Sequence, residues 1–185
     1  MTTQSKPLTY ADYLNGPETK ERREIVDGEV IMVGSPDVYH QTALRNACRT
    51  VDRFVYENGL GEVWFAPLDV IVELEPLRVR QPDLLFVSND RTGIIRDRIY
   101  GGPDLVVEVI SPNNSRAHIE SKLADYASIE VRECWLISPL SRTVEPLSLE
   151  AGEWRRDYIR GVGERVESVV LPGLELDISE IFQGI

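Results

Sequence analysis

The stretch Asp104-Leu105-Val106-Val107-Glu108-Val109-Ile110 places a carboxylate inside a run of branched apolar residues. Such a short run, with Gly102-Pro103 before it and Ser111-Pro112 after it, predicts a buried strand. An ionised carboxylate loses free energy when it leaves water unless a cation, a metal ion or hydrogen bonds compensate it. Glu108 therefore requires a partner, and the search for that partner leads to a candidate site.

A second acid, Asp83, occupies a similar position in the stretch Pro82-Asp83-Leu84-Leu85-Phe86-Val87. Because alternate residues of a strand share a face, each acid shares its face with apolar core residues of its own strand. Two converging carboxylates suit Mg²⁺ or Mn²⁺, which prefer oxygen ligands and retain several waters. The alternative is an acid at a strand end that is exposed or paired with arginine.

Lys122 supplies the nearest candidate cation. Ser115 predicts the cap of a helix that runs to about Ile129 and forms the crossover of a β-α-β unit. Lys122 borders the apolar stripe of this helix, so its stem can lie along the core while its amine reaches the strand ends. An ammonium there could orient a water or offset charge on a phosphoryl group. The alternative is a solvated surface lysine.

Two further polar residues precede these stretches. The turn Asp27-Gly28 between two β-rich segments predicts a hairpin, with Glu24 in its first strand. Apolar residues at three- and four-residue intervals predict a long amphipathic helix from about Pro36 to Asn58. His40 lies in its first turn and faces the body of the protein. Three roles fit this histidine: a proton carrier, a hydrogen-bond partner of a metal ligand, or a satisfied core residue.

The remaining pattern completes an α/β fold. Residues 62–65, 69–74, 83–87 and 105–110 are rich in β-branched and aromatic residues and predict strands of one central sheet. Segments 143–149, 154–159 and 164–170 alternate apolar and polar residues and predict a C-terminal antiparallel meander. We therefore expect a single domain over residues 1–185, with a mixed central β-sheet flanked by α-helices and an N-terminal hairpin.

Composition limits the partners of this fold. The 185 residues carry a formal net charge of -11, which opposes any attraction of nucleic acid to the whole surface. DNA contact would need local basic patches, and Arg96 and Arg98 could bind phosphates or form surface salt bridges. No apolar run is long enough to cross a membrane, and the first residues lack a secretion signal. We expect a cytoplasmic protein.

Five blocks together carry a family resemblance: Glu24–Val30, Tyr39–Gln41, Gln81–Leu85, Gly102–Pro112 and Lys122–Ala127. In order and spacing they resemble the restriction endonuclease-like family called Uma-two, of the PD-(D/E)XK nuclease superfamily, from about Leu8 to Phe182. The resemblance implies a restriction-endonuclease-like core with a divalent-metal site at one edge of the sheet.

The resemblance also implies roles for single residues. Asp83 and Glu108 would bind Mg²⁺ or Mn²⁺, and Lys122 would assist the water that attacks a phosphodiester. Glu24 matches an acid of the N-terminal hairpin motif, and His40 matches a family histidine beside it. The chain departs from the pattern at three positions: Ile110 replaces the usual superfamily lysine, and His118 and Ser138 stand where the family often has aspartate.

Three functions fit these observations. The first is a Mg²⁺-dependent endonuclease of DNA, for which we expect a homodimer because two copies suit two cuts on a duplex. The second is a nuclease-fold binding or assembly module without turnover, and the third is a metal-dependent hydrolase of a small phosphate ester. Convergence of the acids and Lys122 beside a cleft favours catalysis. A basic rim around that cleft favours DNA, and an acidic rim favours the ester.

Overall fold

The computed structural model describes residues 6–17, 21–112, 114–156 and 158–185. Within these residues the α-helices are α1 (Tyr10–Asn15), α2 (Val38–Asn58), α3 (Arg116–Ser128) and α4 (Ile178–Ile181). The strands are β1 (Arg23–Val26), β2 (Glu29–Met32), β3 (Gly61–Phe65), β4 (Val70–Leu74), β5 (Leu77–Arg80), β6 (Leu84–Ser88), β7 (Ile99–Tyr100), β8 (Leu105–Val109), β9 (Glu133–Ser138), β10 (Thr143–Glu150), β11 (Glu153–Arg156), β12 (Arg160–Gly161), β13 (Arg165–Glu167) and β14 (Glu175–Asp177). A 3₁₀ turn covers Asn89–Ile94.

Short polar side chains cap the helices. Asp37 accepts a hydrogen bond from the backbone N–H of His40 at the start of α2, and Ser115 does the same for His118 at the start of α3. Gly59 ends α2 in the left-handed conformation, with φ of 60°. The predicted helices are thus confirmed. None of the described helices combines the length and apolar character that a membrane crossing requires.

The central sheet is mixed, as predicted. Its strand order is β11-β10-β9-β8-β6-β3, and β12 pairs with β10. Strands β6 and β8 are antiparallel neighbours with Leu84 opposite Val107, whereas β8 and β9 are parallel and joined through α3. The ends of β6 and β8 that carry Asp83 and Glu108 therefore lie side by side.

Helices cover both faces of this sheet. Leu84, Val107 and Trp135 pack with the apolar face of α2 and with C-terminal residues around α4. The alternate residues of these strands, including Leu85 and Val106, point to the other face of the sheet and pack with α3. Asp83 and Glu108 alternate in the same way as Leu85 and Val106, so both acids lie on the α3 face of the sheet.

Strand 70–74 lies in a different sheet from the one predicted. It pairs with β5 and β7 in a five-stranded sheet of order β2-β1-β5-β4-β7, which also contains the N-terminal hairpin. Strand β5, Leu77–Arg80, was not predicted, because its two arginines make the segment resemble a polar connection. Arg80 is nevertheless fully buried, and β5 joins the hairpin to β4.

The predicted C-terminal meander is only partly present. Strands β10 and β11 form an antiparallel hairpin that extends the central sheet. The third segment leaves that sheet, because β13 pairs instead with β14 in a separate two-stranded ribbon. Val166 and Leu176 of this ribbon are buried against the α2 face, so the ribbon closes one side of the core.

Candidate functional site

A buried cluster of charged side chains lies where the two sheets and α3 meet. Glu24 comes from β1, Asp83 immediately precedes β6, Glu108 lies in β8 and Lys122 lies in α3. Each of these residues is less than 10% exposed. The fold therefore brings together side chains that are far apart in the sequence.

Lys122 binds two of the acids directly. Its Nζ donates to Glu108 Oε2 at 2.7 Å and lies 3.0 Å from Glu24 Oε1. Burial opposes a charge on this amine, but the charges of Glu108 and Glu24 outweigh burial and raise the pKa of Lys122. The side chain is therefore an ammonium that points into the cluster, and it is not a solvated surface lysine.

Glu108 is crowded by negative charge. Burial raises its pKa, and the nearby carboxylates of Asp83 and Glu24 raise it further although the charge of Lys122 opposes them. The Tyr126 hydroxyl donates to the second carboxylate oxygen, Oε1. Lys122 and Tyr126 thus contact both carboxylate oxygens of Glu108, and the other two acids have cationic partners of their own.

Asp83 is held at the sheet edge by three donors or cations. The backbone N–H of Val109 donates to its Oδ2 at 2.8 Å, and His40 Nε2 lies 3.3 Å from the same oxygen. Arg22 Nη2 lies 2.9 Å from Oδ1. Burial opposes ionisation, but the hydrogen bond from His40 and the charge of Arg22 outweigh it and lower the pKa of Asp83 to about 2.

Glu24 is fixed by a second buried cation. Arg80 is fully buried, and its Nη1 donates to Glu24 Oε2 at 2.9 Å while its Nε donates to Asp125 Oδ2 at 2.6 Å. Burial would raise the pKa of Glu24, but the charges of Lys122 and Arg80 lower it. Glu24 is thus a carboxylate that orients Lys122 from the side opposite Glu108.

The two histidines lie at opposite sides of the cluster. His40 is 5% exposed and contacts Asp83 through Nε2, while its buried Nδ1 has no hydrogen-bond partner among the described residues. His118 of α3 is half-buried, with Nε2 4.0 Å from Glu24 Oε2. Burial and the charge of Lys122 lower the pKa of His118.

The donor set of Asp83 and Glu108 fits a divalent cation. Both are carboxylates at adjoining strand ends, and Asp83 Oδ1, which lies 2.9 Å from Arg22 Nη2, accepts no well-aligned hydrogen bond from the described residues. Two carboxylates leave coordination positions for water and phosphate oxygens, as Mg²⁺ usually requires. No group of three or more His, Cys, Asp or Glu side chains arranged to hold a metal ion occurs in the described part of the chain. A metal here would rest on these two acids.

Asp83 also lines a large open cavity, which we call the arginine cleft. It encloses about 920 Å³ between α1, the start of β1, α2 and the end of β3. Five arginines line it: Arg22, Arg23, Arg45, Arg49 and Arg98. The acids in its lining are Glu21, Asp69 and Asp83, so its rim is net positive although the chain is strongly acidic. Glu108 and Lys122 line a separate cavity of about 20 Å³.

The two arginines predicted to contact nucleic acid differ in position. Arg98 lines the arginine cleft, where its Nε donates to the Tyr13 hydroxyl at 2.6 Å. Arg96 does not line the cleft, and its guanidinium stacks over the Tyr100 ring at 5.1 Å. Only Arg98 therefore lies where a ligand in the cleft could meet it.

Sequence reasoning missed four residues of the cluster: Arg22, Arg80, Asp125 and Tyr126. Arg22 precedes the hairpin strand and had no feature to distinguish it from other arginines. The alternation of Arg80 with the apolar residues Leu77 and Val79 is typical of a strand, but it does not indicate that the arginine is buried. Tyr126 is a buried residue of α3, and nothing in its sequence position shows that its hydroxyl reaches Glu108.

Comparison with known proteins places this geometry in context. The sequence model of the Uma2 family, described as "Putative restriction endonuclease", matches residues 10–179. The fold resembles the crystal structure of a "putative nuclease belonging to DUF820" from Anabaena variabilis ATCC 29413, with a TM-score of 0.79 and 18% sequence identity. The match covers 96% of this chain and 98% of that chain. No curated protein matches the sequence at a significant level.

Proposed function

Because this chain belongs to the Uma2 family, described as "Putative restriction endonuclease", we propose that it is a divalent-metal-dependent endonuclease that hydrolyses phosphodiester bonds of DNA. Family membership and the nuclease fold support a nuclease-like function in general. The metal, most simply Mg²⁺ or Mn²⁺, and the DNA substrate are the specific parts of the proposal.

One observation carries the proposal. A buried ammonium, Lys122, contacts Glu108 and Glu24 at 2.7 Å and 3.0 Å, beside a third acid that opens onto a basic cleft. Buried ion pairs seldom stabilise a fold better than apolar residues of the same volume. This cluster is therefore better explained by chemistry than by folding alone, which argues against a binding module that has lost catalysis.

Each residue has a role in this proposal. Asp83 and Glu108 would hold the metal ion. When bound, the ion supplies Lewis-acid polarisation of a phosphate oxygen and a water of lowered pKa. Lys122 places a positive charge beside the reacting phosphate, where negative charge develops in the transition state. Glu24 orients the Lys122 amine from the other side.

Arg22 and His40 would act at Asp83. Arg22 contacts Asp83 Oδ1 and also lines the arginine cleft, so its guanidinium can meet a phosphate oxygen bound there. His40 contacts the other carboxylate oxygen, Oδ2, and keeps that oxygen in place. Both residues therefore support the orientation of the acid rather than the attack itself.

The cleft favours a polymer over a small phosphate ester. A small ester needs one or two cations near the metal, whereas arginines extend from Arg22 at Asp83 to Arg49 on the fourth turn of α2. Several separated cations match the repeated phosphates of a nucleic acid. The local basic rim also offsets the net charge of -11, which by itself opposes DNA binding.

The test is a cleavage assay with purified protein, supercoiled and linear DNA, and Mg²⁺ or Mn²⁺. We expect cleavage by the wild type, and a loss of at least about 100-fold in rate in Asp83→Asn and in Lys122→Met. Chelation with EDTA should abolish the activity. Circular dichroism and thermal melting establish that each variant is folded.

Matched controls come from exposed residues away from the cluster. Asp90→Asn and Lys6→Met change the same residue types at solvated positions, so both should cleave at the wild-type rate. Cleavage at equal rates by the wild type, Asp83→Asn and Lys122→Met would identify a contaminant nuclease and refute the proposal.

A further inference from the structure

The arginine cleft has an apolar side as well as a basic one. Phe65, at the end of β3, is 63% exposed and lines the cleft, and Leu14 of α1 is 47% exposed in the same lining. Pro17, Pro36 and Pro67 also line it. Large apolar side chains usually avoid water, so an exposed aromatic ring beside a basic surface indicates a ligand with apolar faces.

Three of the five arginines that line the cleft have no carboxylate partner among the described residues. No described acid lies within ion-pair distance of Arg23, Arg45 or Arg49, in contrast to Arg22 and Arg98, which pair with Asp83 and Asp97. Arg45 and Arg49 are one helical turn apart on α2, so their side chains project from the same face. The cleft lining thus holds three arginines without an acidic partner among the described residues, and the two on α2 are suited to an anionic chain that binds along that helix.

The apolar wall is joined to Asp83 through the backbone. The N–H of Ala66, the residue after Phe65, donates to the carbonyl oxygen of Asp83 at 3.0 Å. Arg22 bridges the same region, because its Nη2 donates to the Gln81 carbonyl at 2.6 Å and also contacts Asp83. A group bound against Phe65 is therefore held next to the candidate metal ligand.

We propose that the arginine cleft binds an unpaired DNA strand, with phosphates along Arg45 and Arg49 and a base stacked on Phe65. In a duplex the faces of the bases are already stacked on one another and are not available to Phe65. An unpaired strand offers both its phosphates and its base faces, which are the two chemistries that the cleft presents. The inference rests on the proposed DNA endonuclease and specifies its substrate as single-stranded or locally unpaired DNA.

The test measures binding separately from cleavage. Fluorescence anisotropy of a labelled single strand of about 15 nucleotides, and of the blunt duplex of the same sequence, is recorded at low salt in EDTA. We expect the wild type to bind the single strand at least about tenfold more tightly than the duplex. Phe65→Ala should weaken single-strand binding by about 5- to 150-fold, and Phe65→Trp should retain it.

Tyr56 provides the matched control. It is an aromatic residue of α2, 85% exposed and outside the cleft lining, so Tyr56→Ala should bind both DNAs as the wild type does. Equal or tighter binding of the duplex would overturn the inference, as would equal effects of Phe65→Ala and Tyr56→Ala. Failure to bind either DNA would overturn it as well.

The two proposals can fail separately. Preferred binding of the single strand that depends on Phe65, without metal-dependent cleavage, would retain the cleft assignment and refute the endonuclease. Metal-dependent cleavage that requires Asp83, with equal rates on duplex and single strand and no effect of Phe65→Ala, would retain the endonuclease and refute the preference for unpaired DNA.

Discussion

Arg80 shows how strongly one residue can matter in a buried network. It has no exposed surface and forms ion pairs with both Glu24 and Asp125. We predict that Arg80→Met lowers the free energy of unfolding by about 3–5 kcal/mol, because it removes the buried cation that two buried carboxylates share and leaves each with one cation instead of two. Urea denaturation followed by circular dichroism measures this loss.

The control for Arg80 is an exposed pair of the same chemistry. Arg165 is largely exposed and contacts Glu175, so Arg165→Met should change stability by less than about 1 kcal/mol. The double variant Arg80→Met/Asp125→Asn should lose less than the sum of its single changes, since removing one acid relieves part of the imbalance. Similar losses in Arg80→Met and Arg165→Met would contradict the network.

Asp83 allows metal binding to be measured without catalysis. If Asp83 and Glu108 hold Mg²⁺, the ion stabilises the folded state by mass action, by about 1.4 kcal/mol at ten times its dissociation constant. We predict that Mg²⁺ raises the melting temperature of the wild type but not that of Asp83→Asn. Asp90→Asn, an exposed change, should keep the wild-type response. An equal rise in all three proteins would show that Mg²⁺ binds elsewhere.

At the scale of elements, helix α2 depends on its C-terminal glycine. Gly59 has φ of 60°, and a methyl group added there would meet no atom within 4 Å. Gly59→Ala should therefore cost about 1–2 kcal/mol from backbone strain alone. Gly93→Ala, at a position with similar free space but without the positive φ, should be neutral within about 0.5 kcal/mol. Equal melting temperatures of the two variants would refute this explanation.

The elements with regular periodicity were predictable, and those with mixed chemistry were not. The apolar spacing of α2 and the branched run of β8 indicate their structures directly, because burial on one face sets a repeat in the sequence. Strand β5 was not predicted, because Arg78 and Arg80 are charged residues in a strand that is largely buried. Periodicity likewise could not assign β4 to the second sheet, since strand pairing depends on partners distant in sequence.

The residues of the candidate site also differ in how far the sequence predicts them. Acids inside apolar strands are conspicuous, so Asp83 and Glu108 could be selected before the fold was known. Arg22 and Arg80 could not, because an arginine reveals its burial only when its acidic partners are located in space. The sequence thus identified charges that needed compensation but not all of the residues that compensate them.

At the scale of the whole molecule, charge is unevenly distributed. The chain has 31 acidic and 20 basic residues, yet five arginines gather in one cleft that also contains Asp83. A uniformly acidic surface would repel DNA at every approach. Concentrating cations in the cleft confines favourable contact to the surface next to the candidate metal ligands. Binding should therefore involve few phosphates, and its dependence on salt should be correspondingly modest.

The salt dependence of DNA binding tests whether the phosphate contacts are confined to the arginine cleft. Each phosphate neutralised on a single strand contributes about -0.7 to the slope of log K against log salt. With three or four contacts in the cleft, we predict a slope of about -2 to -3 for the wild type, measured by anisotropy over a salt series. Arg49→Ala should reduce its magnitude by about 0.7 because one contact is lost.

Arg53 is the matched control, since it is an exposed arginine one turn further along α2 but outside the cleft lining. Arg53→Ala removes the same formal charge and should leave the slope unchanged, because a charge that meets no phosphate releases no counterion. Equal reductions in Arg49→Ala and Arg53→Ala would mean that DNA contacts α2 broadly rather than through the cleft. A slope unaffected by either change would place the phosphate contacts on another face of the molecule.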